Sequence, residues 1–199
     1  MKNIVLLSII LLSFSCKSQS VIIDITDSEL GQPIGYYSKD INNVLDPFQG
    51  TYIYTNGNTS FKIILKKMIK QSEGVHFEDL IIGEYQYVVN GLEKINTLSN
   101  LNVLYSHQSL EHGIAGNRVI AKNTHRLWKC LQCNLNEKRL ILRIKDKLSD
   151  CYADFFMRKT IVNGQEVMQV KIANVTHYVF SNNPQPFSLP MGEFTMIKQ

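Results

Sequence analysis

The sequence predicts a mainly β domain, an antiparallel up-and-down meander closing into a barrel, with a two-sheet β-sandwich as the alternative. Three observations carry this. Asn-Gly dipeptides recur at 56–57, 90–91 and 163–164, each between β-rich runs, and Asn-Gly readily takes the positive φ angles of a tight hairpin. Leu140, Leu142 and Ile144 alternate with Arg139, Arg143 and Lys145, as Phe61, Ile63 and Leu65 do with Lys62, Ile64 and Lys66, which is the period of a half-buried strand. No long segment has a helical period, and the strand count reaches about ten, a number at which exposed edges favour curling or closure.

Taken in order, residues 1–15 read as an export signal, 16–47 as a lipidated tether and lead-in, and 48–199 as a single antiparallel β domain. Lys2 opens the chain, Ile4 to Leu12 is an apolar run broken only by Ser8, and Ser13-Phe14-Ser15-Cys16 brings small residues and a cysteine. That run is about half of the ~20 residues a membrane-spanning helix needs. Lys17-Ser18-Gln19-Ser20 suits a flexible tether. The lead-in then holds Val21-Ile22-Ile23, an acidic stretch with Asp24, Asp27 and Glu29, and turn formers at Gly31, Pro33 and Gly35; one edge strand is expected there. The acidic spacing lacks the alternation and turn glycine of an EF-hand loop.

From Gly50 the expected strands are Thr51–Thr55 and Thr59–Leu65, then Ile81–Val89 and Leu92–Leu98, and later Tyr152–Thr160 and Glu166–Ala173, each pair a hairpin. Further strands are expected at Leu101–Tyr105, Arg118–Lys122, His125–Leu131, 139–145, His177–Phe180 and Gly192–Lys198, with a short helix within Leu104–Gly113.

The formal charge is +4, and removing residues 1–15, whose one charged side chain is Lys2, leaves +3. The one compact basic group, Lys66, Lys67 and Lys70, reads as a solvated sheet face, so no nucleic-acid partner is expected.

Cys130-Leu131-Gln132-Cys133 lacks a second ligand pair for zinc and the helix N-terminus that thioredoxin-like chemistry needs. An oxidising compartment favours one disulfide, with Cys133–Cys151 or Cys130–Cys151 as the expected pairings and one thiol left over. His107 and His112 bracket Glu111, but five residues turn a helix through about 500°, which puts the imidazoles about 140° apart instead of on one metal-binding face. His76 with Glu78 and Asp79 offers a general base without a nucleophile signature. No catalytic residue, metal site or cofactor is therefore expected. Tyr52, Tyr54, Tyr85 and Tyr87 fall on strands and are candidates to line an interior pocket for a small apolar ligand, beside the commoner role of core.

The string LLSFSCKSQ resembles the signals of Bacteroidota lipoproteins, although Ser13 stands where Leu is usual. The resemblance implies diacylglycerol on the Cys16 thiol, cleavage before it and a lipid anchor in the cell envelope. With no acidic cluster after Cys16, it also implies the periplasmic face of the outer membrane. Phe48-Gln49-Gly50-Thr51-Tyr52 resembles the Gly-x-Trp opening of lipocalin-type barrels, with Tyr52 in the tryptophan's place and only Lys198 where their closing strand has arginine. Over almost the whole chain, FQGTYIYTNGNTSFKIIL, GEYQYVVNG, Trp128–Cys133 and PFSLPMGEFTMIK look like an uncharacterised family of roughly 200-residue Bacteroidota lipoproteins. That likeness implies the address and the β fold and transfers no catalytic residue; the leading expectation is a non-catalytic envelope module binding a small apolar ligand or an envelope protein. The competing expectation is an envelope hydrolase using His76, Glu78 and Asp79, or a redox protein using Cys130 and Cys133.

Overall fold

The structure, a computed structural model, describes residues 20–149, 151–177 and 185–199. The expected signal segment and the lipidation residue Cys16 lie outside the described residues, as does most of the strand expected at His177–Phe180. The described residues form strands β1 (Ile22–Asp24), β2 (Tyr37–Lys39), β3 (Gly50–Asn56), β4 (Thr59–Ser72), β5 (Phe77–Val89), β6 (Leu92–Asn96), β7 (Ile114–Ile120), β8 (Arg139–Asp146), β9 (Cys151–Val162), β10 (Gln165–His177) and β11 (Gly192–Lys198), and a helical turn α1 (Gln108–Glu111).

Eight of these strands close a barrel in the order β5, β4, β3, β11, β10, β9, β8, β7, every neighbour antiparallel. The ring closes where Ile81, Ile82 and Gly83 of β5 pair with Gly116, Ala115 and Ile114 of β7. Gly83 is required there. A Cβ on it would stand 2.6 Å from Leu65 Cδ2 and 2.9 Å from the Ile64 carbonyl oxygen, so any side chain pushes β5 off its neighbour β4. The β3–β11 seam is shorter still, with register pairs only at Ile53–Ile197 and Tyr52–Lys198.

The lumen is filled. Tyr52, Phe61, Ile63, Tyr85, Leu140, Ile144, Phe155, Met157, Ile172 and Met196 are each fully buried in one cluster. Leu45 and Phe48 join it from the lead-in, just before β3, and Leu189 from the segment before β11. The continuous apolar runs Leu80-Ile81-Ile82, Leu140-Ile141-Leu142 and Phe155-Phe156 follow from cover on the outside as well. Leu80 and Ile82 pack outward on Ala115 and Leu101, whereas Ile141 and Phe156 pack outward on Trp128 and Ile120. Two loops thus clothe the wall: a strap over residues 97–113 and a longer one over 121–138.

Several expectations are corrected. The lead-in gives two short strands, not one; β1 and β2 are parallel, and β2 extends β5 through Tyr37–Phe77 and Ser38–Glu78. Leu101–Tyr105 is not a strand; a 3-10 turn over Leu98–Asn102 leads into coil, because Leu101 serves the outer apolar patch. His125–Leu131 is not a strand either. The buried Arg139 guanidinium donates to the carbonyls of Trp128 and Lys122 and holds that stretch in turns. The first hairpin turns on Gly57-Asn58 instead of Asn56-Gly57, with positive φ at Gly57, while Asn90-Gly91 and Asn163-Gly164 turn as expected. Lys67 is not a solvated face: its amine lies 2.7 Å from both Asp40 and Asp46.

Phe155 is fully buried in the lumen. Phe155→Ala is expected to cost about 3–5 kcal/mol in denaturant unfolding, and a loss below about 1 kcal/mol would contradict a packed lumen.

Candidate functional site

On β5 the side chains of Ile81 and Tyr85 enter the lumen, so alternation turns Glu78, Leu80, Ile82 and Glu84 outward. The strap covers the apolar middle of this row, and a polar centre lies at each end.

At one end Glu84 is buried beneath the strap. Its Oε1 lies 2.9 Å from His112 Nδ1 and accepts a bond from the Gly113 N–H at 3.3 Å. His112 Nε2 lies 2.8 Å from Gln108 Oε1 on α1, and the side-chain amide N–H of Gln108 donates to the Tyr105 carbonyl. Neither the histidine nor the glutamate side chain exceeds 1% exposure. This chain pins the strap to the wall. Removing His112 would leave a carboxylate buried without its partner, the costly case for a desolvated pair.

At the other end the β4–β5 turn carries Glu73 and His76, and β5 begins with Glu78. His76 Nε2 lies 3.9 Å from Glu78 Oε2, and its ring stacks on Tyr36 at 4.8 Å between centroids with planes 3° apart. Asn117 of β7 donates to Glu78 Oε2 at 2.7 Å and to the Asp79 carbonyl at 3.0 Å. Glu29 comes in from the lead-in, so that one ligand atom each of Glu29, His76 and Glu78 lies within 4.8 Å of the others. Glu73 turns to the strap and accepts the Ser109 hydroxyl. Burial, reinforced by Glu73 and opposed by the Asn117 hydrogen bond, pushes Glu78 up to about 7 from an ordinary 4.5. Next to the Glu78–Asn117 pair a groove of about 330 Å³ opens between β7 and β8, lined by Asn117, Arg118, Arg143, Asp154 and Ser109.

The histidine-centred candidates are thus divided. His76 and Glu78 come together, while Asp79 turns to the opposite face. There it accepts bonds from the Tyr37 hydroxyl (2.5 Å), the Asp40 N–H (2.9 Å) and the Lys70 N–H (2.8 Å), the last at a bulge where Lys70 has φ 51°. Asp79 is a structural anchor of the lead-in. His112 belongs to the strap and is not on a metal-binding face with His107. Of the tyrosines considered as ligand-lining, Tyr52 and Tyr85 are fully buried in the packed lumen, their hydroxyls bonded to the Gln49 and Lys145 carbonyls. Tyr54 and Tyr87 are partly buried against the rings of Phe194 and Phe61.

Cys130 is bonded to Cys133, and Cys151 is buried outside that disulfide, its Sγ 3.0 Å from the Ser149 hydroxyl. This corrects the expected pairings with Cys151. The 121–138 loop is tied down at Arg139, where β8 starts, whereas Cys151 pairs with Asp146, where β8 ends. At ~3.3 Å per residue these points are roughly 23 Å apart along the strand.

Sequence reading missed Glu84 and Glu29. The first had a signal, a charge in an outward row headed by Leu80 and Ile82. The second had none, because the lead-in meets the β4–β5 turn only in three dimensions.

Fold and site together define a small closed barrel with a filled lumen and its polar chemistry on the outer wall. Across residues 1–199 the chain matches a family of unknown function, DUF6705, and it belongs to that family. No curated protein and no solved structure matches it.

The unfolded chain ionises Glu78 near 4.5 and the folded chain near 7. The folded state therefore holds the extra proton between those values, and stability falls as pH rises through that window. In buffer free of divalent ions, Glu78→Gln is expected to flatten this slope and to stabilise at about pH 8 by on the order of 2 kcal/mol; an unchanged slope would contradict it. Alkylation with peptide mapping should label Cys151 only after unfolding, and Cys130 and Cys133 only after reduction. Reduction of that four-residue loop should cost about 2 kcal/mol.

Proposed function

We propose that the protein is a lipid-anchored lipoprotein of the Bacteroidota type at the periplasmic face of the outer membrane, a non-catalytic module that binds an envelope protein through its outer wall. The observation that carries the binding mode is the filled lumen: Tyr52, Phe61, Tyr85 and Phe155 occupy the space that a small apolar ligand would need. Of the two ligand classes expected, a protein partner on the outside fits the packing. The groove between β7 and β8 and the exposed Leu104 and Leu110 of the strap offer polar and apolar contacts there.

The anchor rests on the Lys2 start, the Ile4–Leu12 run and the Ser13–Cys16 segment, followed by a polar tether. Acyl chains contribute about 0.8 kcal/mol per buried methylene, so more than one chain holds such a domain stably at a membrane. Burial of the Cys130–Cys133 disulfide weighs against the redox alternative.

Protein purified from its host should show a mature N-terminus at Cys16 carrying diacylglycerol mass, and cross-linking should join an envelope protein to the strap or to β7 and β8. An unmodified Cys16 would overturn the anchor, and cross-links confined to other faces would overturn the binding surface.

A further inference from the structure

The cluster formed by Glu29, His76 and Glu78 goes unused by the proposed function, and it has the parts of a metal centre. Its three ligand atoms, one from the lead-in and two from the start of β5 and the turn before it, lie within 4.8 Å of one another. Two bonds of ~2.0 Å at a tetrahedral angle place ligand atoms about 3.3 Å apart, so binding asks for a contraction of at most about 1.5 Å. Glu29, exposed on the lead-in and hydrogen-bonded to the Tyr36 hydroxyl, would supply most of that movement.

The other two ligands are already oriented, as the partners of metal ligands usually are. The His76 ring is held flat against Tyr36, and Glu78 Oε2 is held by the Asn117 amide. An independent observation points to an occupant. Ser38 is 1% exposed, and its hydroxyl has no hydrogen-bond partner among the described residues. Its register pairing with Glu78 places it on the same face of the sheet as the cluster. A buried hydroxyl left open on the sheet face that carries Glu78 is accounted for by a hydrated cation.

We propose that Glu29, His76 and Glu78 bind one divalent first-row transition metal ion of the zinc class, leaving a coordination position to water. One nitrogen and two carboxylate oxygens suit such an ion, whereas calcium takes an all-oxygen shell of six or more ligands. The metal acts as a clasp. Glu29 belongs to the lead-in that precedes the barrel, so the bound ion fastens that segment to the β4–β5 turn. Without the ion, residues 27–35 are held by fewer links. This inference does not depend on the proposed partner or on lipidation.

Calorimetric titration of the full chain, freed of metal by chelation, should show one equivalent of Zn²⁺ bound and Ca²⁺ bound at least about 100-fold more weakly. Hydrogen exchange over residues 27–35 should slow when zinc is added. Glu29→Gln, at an exposed position, and His76→Ala should each weaken zinc by at least about 100-fold and abolish that protection. Asn117→Ala should weaken it by about 10- to 100-fold through loss of Glu78 orientation, and His177→Ala should leave it unchanged. No zinc binding by the wild-type chain, equal affinity for calcium, or zinc binding that survives both Glu29→Gln and His76→Ala would overturn the proposal.

Discussion

One edge of β5 has to serve three strands in succession, and the rest of the molecule is arranged around that constraint. At its start the edge pairs with β2, in its middle with β7, and at its end with β6. Only the middle stretch closes the barrel. Above and below it the neighbouring segments peel away, so the wall on either side needs other cover. The strap supplies it over Leu80 and Ile82, and the lead-in supplies it where β2 joins. Both polar centres stand where β5 changes partner. Charged groups collect there because a strand without a continuous neighbour leaves room for side chains and backbone donors that a closed ladder would not.

Buried charge holds these additions in place. Asp79 ties the lead-in to the bulge in β4, and Asp40 caps the backbone of Val44 and Leu45 while pairing with Lys67. Such groups stabilise little when compared with apolar residues of the same size, yet removing one partner strands the other in a dry site. Their effect is on register: the lead-in has one place to sit, which brings Glu29 to His76 and Glu78. The Glu84–His112 pair fixes the strap in the same way.

The barrel was legible because local chemistry and global topology agree. Two-residue turns at 57–58, 90–91 and 163–164 fix hairpins, and alternation at Phe61, Ile63 and Leu65 or at Leu140, Leu142 and Ile144 marks the lumen face. Where strands are buried on both faces the alternation fails, and Ile141 and Phe156 make sense only once Trp128 is seen covering them. The same blindness affected the loops. Leu127 and Trp128 are apolar because they cover a wall, although their pattern reads as that of a strand. The site was half legible: His76 and Glu78 lie two residues apart, while Glu29 and Ser38 reach them through parallel pairing of the lead-in, which leaves no periodic trace. Cys130 and Cys133 were seen as a pair, but distance along β8 decides against Cys151, and distance follows from topology.

The short seam between β3 and β11 has a consequence for how the molecule is made. Ile53 and Ile197 stand side by side although 144 positions separate them (197 minus 53). Bringing such distant segments together is slow, because loop entropy is lost before the contact is gained. Until residues 192–198 have been synthesised and have reached the ring, β3 and β10 each present an unpaired edge flanked by apolar side chains. The nascent chain therefore passes through an open, adhesive sheet, and a holding factor that shields those edges would act on this intermediate and have no hold on the finished barrel.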